Sequence, residues 1–138
     1  MKTLFIAEAT ADHARSGRIS SADGLLNVQL GNPLEPGSEK LGPNPEMLFA
    51  GAYSACYHGA FLNAAERLGV SAENSRVRAV VSLNEDDQGG YQLAVELHAT
   101  IPGASHEDVQ RIMEAAHQTC PYSKLARGEV KVKPVAAE

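Results

Sequence analysis

The chain has only two cysteines among its 138 residues, Cys56 and Cys120, and no local motif such as C-x-x-C joins them. We also expect no secretion signal, because Glu8 interrupts the first short apolar run. We therefore expect a cytoplasmic protein, where disulfides are more often transient than structural. In that setting the cysteine pair favours thiol redox chemistry over a structural disulfide.

Basic residues are also in short supply. Lys and Arg number 12 against 17 Asp and Glu, which gives a net charge of −5. Nucleic acids and anionic membrane surfaces need a clustered basic face, so neither is expected as the main partner. The most apolar stretch, Met47–Leu62, is shorter than the roughly 20 residues of a membrane span and contains Ser54 and His58. We interpret it as a core helix.

The common cofactor motifs are absent as well. The sequence contains no P-loop, dinucleotide fingerprint or G-x-S-x-G elbow. A metal site built from Cys56, His58, His117 and Cys120 is conceivable, but the C-x-H and H-x-x-C spacings match no standard zinc pattern. We expect neither a metal nor an organic cofactor.

The sequence that is present predicts one α+β domain over residues 1–138, with mostly antiparallel sheet. Its 43% hydrophobic and 21% charged residues are typical of a globular protein. The predicted elements are strands at Thr3–Thr10, Ile19–Ser21 and Leu25–Leu30, a helix from Pro45 to Gly69, strands at Arg76–Glu85 and Tyr91–Ile101, a helix at His106–Thr119, a turn at Ser123–Gly128 and a last strand at Glu129–Val135.

Capping residues define both helices. Asn44 is a good N-cap before Pro45, and Gly69 is a natural C-cap for the first helix. Ser105 caps the second. The Pro- and Gly-rich segment 31–44 before the first helix predicts a long loop, which in compact domains is usually functional.

Two apolar faces are predicted, one on a strand that points toward the core and one on a helix that points toward the core or an interface. In the strand that begins at Tyr91, alternate residues share one face: Leu93, Val95, Leu97 and Ala99. In the second helix, a stripe at helical spacing ends at the second cysteine: Val109, Ile112, Met113, Ala116 and Cys120.

Cys56 needs a cation to be reactive. It lies about three turns into its helix, beyond the reach of the helix dipole. Lowering a thiol pKa from about 8.5 to about 6 requires roughly 3.4 kcal/mol of thiolate stabilisation. The candidate cations are Arg15, Arg18 and Arg127, and Glu46 is placed to hold an arginine. Without such a cation, Cys56 is an inert core residue.

Two blocks carry a family resemblance: Asn44-Pro45-Glu46-x-Leu48-Phe49-Ala50-x-x-Tyr53-Ser54-Ala55-Cys56, and Cys120-Pro121-Tyr122-Ser123-x-x-x-Arg127-Gly128. Together they resemble the organic hydroperoxide resistance (Ohr) branch of the OsmC/Ohr family. The resemblance covers nearly the whole chain. It implies an intertwined homodimer in which mostly antiparallel sheets wrap around two central helices.

The same resemblance implies a thiol-dependent peroxidase. The cysteine matching Cys56 attacks an organic hydroperoxide and becomes a sulfenic acid, and the one matching Cys120 condenses with it to a disulfide. A dithiol such as dihydrolipoamide then reduces the disulfide. Arg15 matches the catalytic arginine and Glu46 the acid that orients it, while His13-Ala14 stand where the family usually has Gly-Gly.

Two further expectations concern the site. An apolar pocket would be lined by Phe49, Tyr53, Phe61 and Met113. Glu46 and Cys56 are about 15 Å apart along a straight helix, so we expect Glu46 to serve the Cys56 of a second subunit. Two alternatives stay open: a redox sensor or hydrophobic-ligand binder on the same fold, and a structural domain with inert thiols.

Overall fold

The structure is a computed structural model that describes residues 1–137. The chain divides into two compact units, Met1–Phe49 and the remainder from Ala50 onward. Their elements are described separately below. The assignment of residues 1–138 to one domain stays a prediction.

The first unit contains a three-stranded antiparallel sheet in the order β1-β2-β3. Its strands are β1 Thr10–Asp12, β2 Arg18–Ser20 and β3 Asn27–Gln29, and a single 3₁₀ turn at Ala14–Ser16 connects the first two. The second and third strands lie within or beside their predicted positions. A loop with several tight turns then leads to the first helix, as the prolines and glycines predict.

The predicted first strand at Thr3–Thr10 is wrong in its position, because β1 begins only at Thr10. Thr10 pairs with Ser20, the last residue of β2. Beyond Ser20 the chain turns, and the Ser21 amide bonds to the Leu26 carbonyl. The residues before Thr10 therefore have no β2 residue opposite them, and a strand needs such a ladder.

Helix α1, Pro45–Leu68, begins and ends where its caps predict. The Asn44 side chain accepts a hydrogen bond from the Met47 amide at 2.8 Å, which satisfies one of the unpaired first-turn amides. At the other end Gly69 has φ +71°, a left-handed conformation that glycine adopts without strain. The buried face carries residues at helical spacing: Tyr53, Tyr57, Phe61, Ala64 and Ala65.

The second unit also contains a two-stranded antiparallel hairpin, β4 Arg76–Glu85 and β5 Tyr91–Thr100, as predicted. The Asp86 side chain closes its turn by accepting bonds from the amides of Gln88 and Gly90. The predicted core face of β5 is wrong in its first half, since Leu93 is 45% and Val95 37% exposed.

The reason is how far helix α2, His106–Thr119, extends along the sheet. Its residues share a cleft with only the last part of β5, from Leu97 to Thr100. Leu97 and Ala99 are accordingly half-buried. The first half of β5 has no such cover within residues 1–137, so its apolar side chains stay at the surface.

Helix α2 follows its predicted pattern. Ser105 caps it by accepting a bond from the Asp108 amide at 3.1 Å. Ile112, Ala116 and Cys120 of the predicted stripe are fully buried. A hydrophobic stripe of this kind holds a helix mainly through burial, at about 25 cal/mol for each Å² of apolar surface removed from water.

The end of the chain differs from prediction. Most of the predicted turn at Ser123–Gly128 is instead part of a short helix, α3 Pro121–Ala126. Gly128, two residues after this helix, has φ +79°. The predicted strand at Glu129–Val135 is wrong, because no strand follows α3 in the part of the chain described. Val132 is 78% exposed there, without a neighbouring strand to pair with. The α+β class is confirmed.

None of the helices within residues 1–137 is long and apolar enough to cross a membrane.

Candidate thiol site

The two cysteines face each other in the second unit. The Sγ atom of Cys120 donates a hydrogen bond to the Sγ atom of Cys56 at 3.8 Å, and both thiols are free. Cys56 is half-buried on α1, whereas Cys120 is fully buried. A disulfide has a sulfur–sulfur distance of about 2.05 Å, so closing the pair requires a movement of roughly 1.8 Å. The two sulfur atoms therefore lie within a small movement of the distance that a disulfide requires.

Cys120 occupies the joint between two helices. It follows the last residue of α2 and serves as the N-cap residue of α3, with the extended backbone angles φ −62° and ψ 122°. Its amide bonds to the Ala116 carbonyl at 2.8 Å, and its carbonyl accepts from the Lys124 amide at 3.0 Å. Pro121 suits the first position of α3 because its fixed φ is already helical. The thiol is thus held from both sides of the chain.

The surroundings of Cys56 within this unit disfavour its thiolate. Burial raises the pKa of the Cys56 thiol above its ordinary value; a hydrogen bond with the backbone at Tyr122 partly offsets this, and neighbouring Cys120 raises the pKa further. Burial acts this way because it penalises the charged form. The result agrees with the expectation that Cys56 needs a cation to react near neutral pH.

Two tyrosines pack beside the cysteines. Tyr57 donates to the Met113 carbonyl at 2.7 Å, and its burial raises the pKa of the phenol to about 12. It therefore remains protonated throughout the physiological range. Tyr53 shares a buried hydroxyl contact with Ser123 at 2.8 Å, and Ser123 in turn contacts His117 at 2.9 Å. The sequence alone did not predict this arrangement of Tyr57, Ser123 and His117, although His117 and Ser123 each lie three residues from Cys120.

The first unit joins Arg15 to Glu46. The guanidinium donates two parallel hydrogen bonds to the carboxylate, Nη1 to Oε2 at 2.8 Å and Nη2 to Oε1 at 2.7 Å. Such bidentate pairs fix orientation as well as charge. The Arg15 bond holds the pKa of the Glu46 carboxyl below its ordinary value. The expected union of a loop arginine with Glu46 is therefore present, and the catalytic role of the two residues stays a prediction.

The other candidate arginines have different partners. Arg18 donates to the side-chain oxygen of Asn27 at 2.7 Å. Arg127 donates to the His117 carbonyl at 2.6 Å and pairs with Glu129. Of the three arginines considered from sequence, Arg15 is thus the one bound to Glu46.

The backbone before Arg15 adopts an unusual conformation. His13 and Ala14 have φ values of 60° and 52°, in the left-handed region that glycine favours. Two residues after Arg15, a Cβ at Gly17 would lie 1.6 Å from the Asp12 carbonyl oxygen, so no larger residue fits. The arginine is presented by a tight turn whose shape two non-glycine residues maintain against strain.

The predicted pocket residues lie in several places. Tyr53 and Phe61 are fully buried on α1, and Phe49 is half-buried in the first unit. Met113 lines a cleft of about 530 Å³ between α2 and the β4–β5 hairpin, and Cys56 is not among the residues that line that cleft. A common pocket for these four side chains stays a prediction.

Within residues 1–137, no group of three or more His, Cys, Asp and Glu side chains is arranged to hold a metal ion. The two histidines of the conceivable metal site have other partners. His58 contacts the Ser75 hydroxyl through Nε2 at 2.9 Å, and His117 contacts Ser123.

Known proteins resemble this chain in sequence. The family of OsmC-like proteins matches residues 37–135. The organic hydroperoxide resistance protein OhrB of Bacillus subtilis (strain 168) is 38% identical over 131 residues, which cover 94% of this chain and 96% of that protein. The organic hydroperoxide resistance protein of Xanthomonas axonopodis pv. citri (strain 306) is 38% identical over 134 residues, covering 95% and 93%.

Solved structures of such proteins have a similar fold. The crystal structure of Bacillus subtilis OhrB matches with a TM-score of 0.84, covering 95% of this chain and 97% of that one. A crystal structure of an organic hydroperoxide resistance protein from Legionella pneumophila matches with a TM-score of 0.82 at 38% identity, covering 96% of each chain. This chain therefore belongs to the OsmC/Ohr family, in the branch of the organic hydroperoxide resistance proteins, and has its α+β fold.

Proposed function

We propose that the protein is a thiol-dependent peroxidase that reduces organic hydroperoxides to alcohols. The observation that carries the proposal is the contact between Cys56 and Cys120 at 3.8 Å, since it places two free thiols within reach of a disulfide. The named relatives support the choice of substrate, because they are organic hydroperoxide resistance proteins.

Two balanced steps convert the peroxide. The Cys56 thiolate attacks one peroxide oxygen, the O–O bond breaks, and the alkoxide leaves with a proton as the alcohol, so that Cys56 becomes a sulfenic acid. Cys120 then attacks the Cys56 sulfur, and the hydroxyl leaves as water with the proton of the second thiol. A dithiol reductant such as dihydrolipoamide reduces the disulfide by exchange and is itself oxidised.

Arg15 supplies the cation that the thiolate needs. Burial and Cys120 raise the pKa of the Cys56 thiol, and an adjacent guanidinium opposes both effects. The same guanidinium would polarise the peroxide and stabilise the charge that develops on the leaving oxygen. Glu46 orients Arg15 through its two hydrogen bonds. Glu46 and Cys56 lie on one helix about three turns apart, and this spacing supports an Arg15–Glu46 pair that serves Cys56 of a second subunit.

The substrate side is apolar in this proposal. Phe49, Tyr53, Phe61 and Met113 would contact the alkyl part of the peroxide. Burial of apolar surface contributes about 0.8 kcal/mol for each CH₂ group, and hydrogen peroxide gains none of it. Bulky alkyl or lipid hydroperoxides are therefore the expected substrates.

Stopped-flow oxidation by a bulky alkyl hydroperoxide tests the proposal. Wild type should form an intramolecular disulfide, and Cys120→Ser should stop at a sulfenic acid that dimedone traps. Steady-state turnover with dihydrolipoamide separates a peroxidase from a redox sensor, which would be oxidised once and then remain so. Absence of reaction in both proteins would refute the peroxidase.

A further inference from the structure

Three polar side chains, Tyr53 of α1, His117 of α2 and Ser123 of α3, form a connected chain of hydrogen bonds. The Tyr53 hydroxyl and the Ser123 hydroxyl are 2.8 Å apart, and the Ser123 hydroxyl lies 2.9 Å from Nδ1 of His117. Tyr53 is 2% exposed and Ser123 is fully buried. Polar groups at this depth contribute little net stability, but they cost much when a partner is lost, so the chain resists displacement.

This hydrogen-bond chain connects the same helices that a Cys56–Cys120 disulfide would connect. Tyr53 lies three residues before Cys56 on α1, while His117 and Ser123 lie three residues before and after Cys120. Residues three apart share one face of a helix. The hydrogen bonds join α1 to α3 through Tyr53 and Ser123, and α3 to α2 through Ser123 and His117, so they link the residues on both sides of Cys120 to α1.

The joint needs such a fastening. Cys120 has extended backbone angles between two helices, so its position depends on how the short helix α3 is held. Disulfide formation tolerates little displacement, because its sulfur–sulfur distance and dihedral angle are narrowly defined. A sulfur pair at 3.8 Å is close to this geometry before any oxidation occurs.

We propose that Tyr53, Ser123 and His117 are positioning residues for disulfide formation, which hold Cys120 within reach of Cys56. The proposal rests on the proposed function for its biological meaning, since condensation of Cys120 with the Cys56 sulfenic acid is the step it accelerates. The first step, attack of Cys56 on the peroxide, does not depend on the contact between Ser123 and His117.

The effective concentration of the two thiols measures this positioning directly. It is obtained by equilibrating the protein with mixtures of reduced and oxidised glutathione and quantifying the Cys56–Cys120 disulfide. Ser123→Ala and His117→Ala should each lower it by about tenfold or more, equivalent to about 30 mV. His117→Asn should restore it to within about threefold of wild type, because the amide can both donate and accept near the position of Nδ1.

Another histidine of the protein, outside this hydrogen-bond chain, offers a matched control. His58 is also half-buried and contacts a serine hydroxyl, that of Ser75 at 2.9 Å. His58→Ala should leave the effective concentration unchanged. If Ser123→Ala fails to fold, Tyr53→Phe removes one hydroxyl from the chain while keeping the ring, and it should also lower the effective concentration.

The two proposals fail in different ways. The glutathione equilibrium uses no peroxide, so it tests the positioning chain even if the protein is not a peroxidase. Effective concentrations within about twofold of wild type for both Ser123→Ala and His117→Ala would overturn the positioning role. With peroxide, these variants should form the sulfenic acid at the wild-type rate and accumulate it. Equal slowing of both steps would also count against the proposal.

Discussion

The Glu46 carboxylate accepts two hydrogen bonds from the Arg15 guanidinium, one from each Nη atom and one to each carboxylate oxygen. Glu46 is the more enclosed partner, at 14% exposure against 40% for Arg15. A bidentate pair of this kind determines the direction of the guanidinium, which a single bond would leave free to rotate. The pair is thus a means of orientation as well as a source of stability.

Glu46→Gln should reveal the stability that the pair contributes. Because Arg15 lowers the folded-state pKa of Glu46, that stability is fully present above the ordinary value of 4.5 and is lost as the pH falls through the lowered value. Urea unfolding should show the variant less stable by about 1 kcal/mol near neutral pH. The difference should shrink progressively as the pH falls below 4.5.

Glu39→Gln is the matched control for that experiment. Glu39 is an exposed carboxylate in the loop before α1. Its replacement should change stability by less than about 0.5 kcal/mol at either pH. A Glu46→Gln difference that stays constant from neutral to acidic pH would show that charge is not the source of the effect.

Arg15→Lys and Arg18→Lys should differ in their effect on Cys56. A lysine cannot reproduce the planar two-bond pairing, so Arg15→Lys should slow oxidation by an alkyl hydroperoxide by about 100-fold. Arg18 bonds to Asn27 instead of Glu46, and its replacement should cost less than about threefold. Rapid-mixing measurements of thiol loss compare the two variants.

The pH dependence of Cys56 alkylation tests whether Arg15 acts on the Cys56 thiol. Burial already raises the pKa of the Cys56 thiol, and loss of an opposing cation removes the influence that lowers it. The alkylation profile of Arg15→Ala should therefore lie at higher pH than that of wild type, measured with iodoacetamide in a Cys120→Ser background. Coincident profiles would mean that Arg15 does not act on the thiol.

Ala14→Gly should stabilise the protein. Ala14 has φ 52°, a conformation that costs a residue with a Cβ about 1–2 kcal/mol and costs glycine little. After the greater freedom of glycine in the unfolded chain is subtracted, a gain of about 0.5–1 kcal/mol remains. Thermal and urea unfolding measure it.

Ala11→Gly, three residues before Ala14, should have the opposite effect on stability. Ala11 lies in β1, opposite Ile19, where an extended backbone suits alanine. Its replacement should destabilise the protein by about 0.5–1 kcal/mol. If both glycine variants lose stability, the turn before Arg15 is not under the strain that its φ values indicate.

Local signals in the sequence were enough to predict the two long helices, α1 and α2. Asn44, Gly69 and Ser105 act on their own neighbourhoods, so the bounds of α1 and α2 follow from a few adjacent residues. The cysteines likewise pointed to the thiol pair, and the family resemblance pointed to Arg15 with Glu46. These features depend on short-range chemistry or on a family motif.

The failures have a different physical origin. The apolar residues at Thr3–Thr10 and Glu129–Val135 favour strands, but a strand forms only where another strand supplies its hydrogen bonds. The exposed start of β5 likewise depends on how far α2 extends over it. The hydroxyl chain through Ser123 joins residues 70 positions apart and carries no pattern that a single sequence reveals.

Mixing two inactive variants should test whether Arg15 and Cys56 act across a subunit boundary. Arg15→Ala and Cys56→Ser should each be inactive alone. In a mixed dimer with shared sites, one site combines both substitutions and the other has neither, so co-refolding equal amounts should recover about a quarter of wild-type activity. If each subunit forms its own site, every site carries one substitution and the mixture stays inactive. Cys56→Ser mixed with Cys120→Ser is the control, because both substitutions lie in the half of the site that a single subunit supplies, and this mixture should not recover disulfide-dependent turnover.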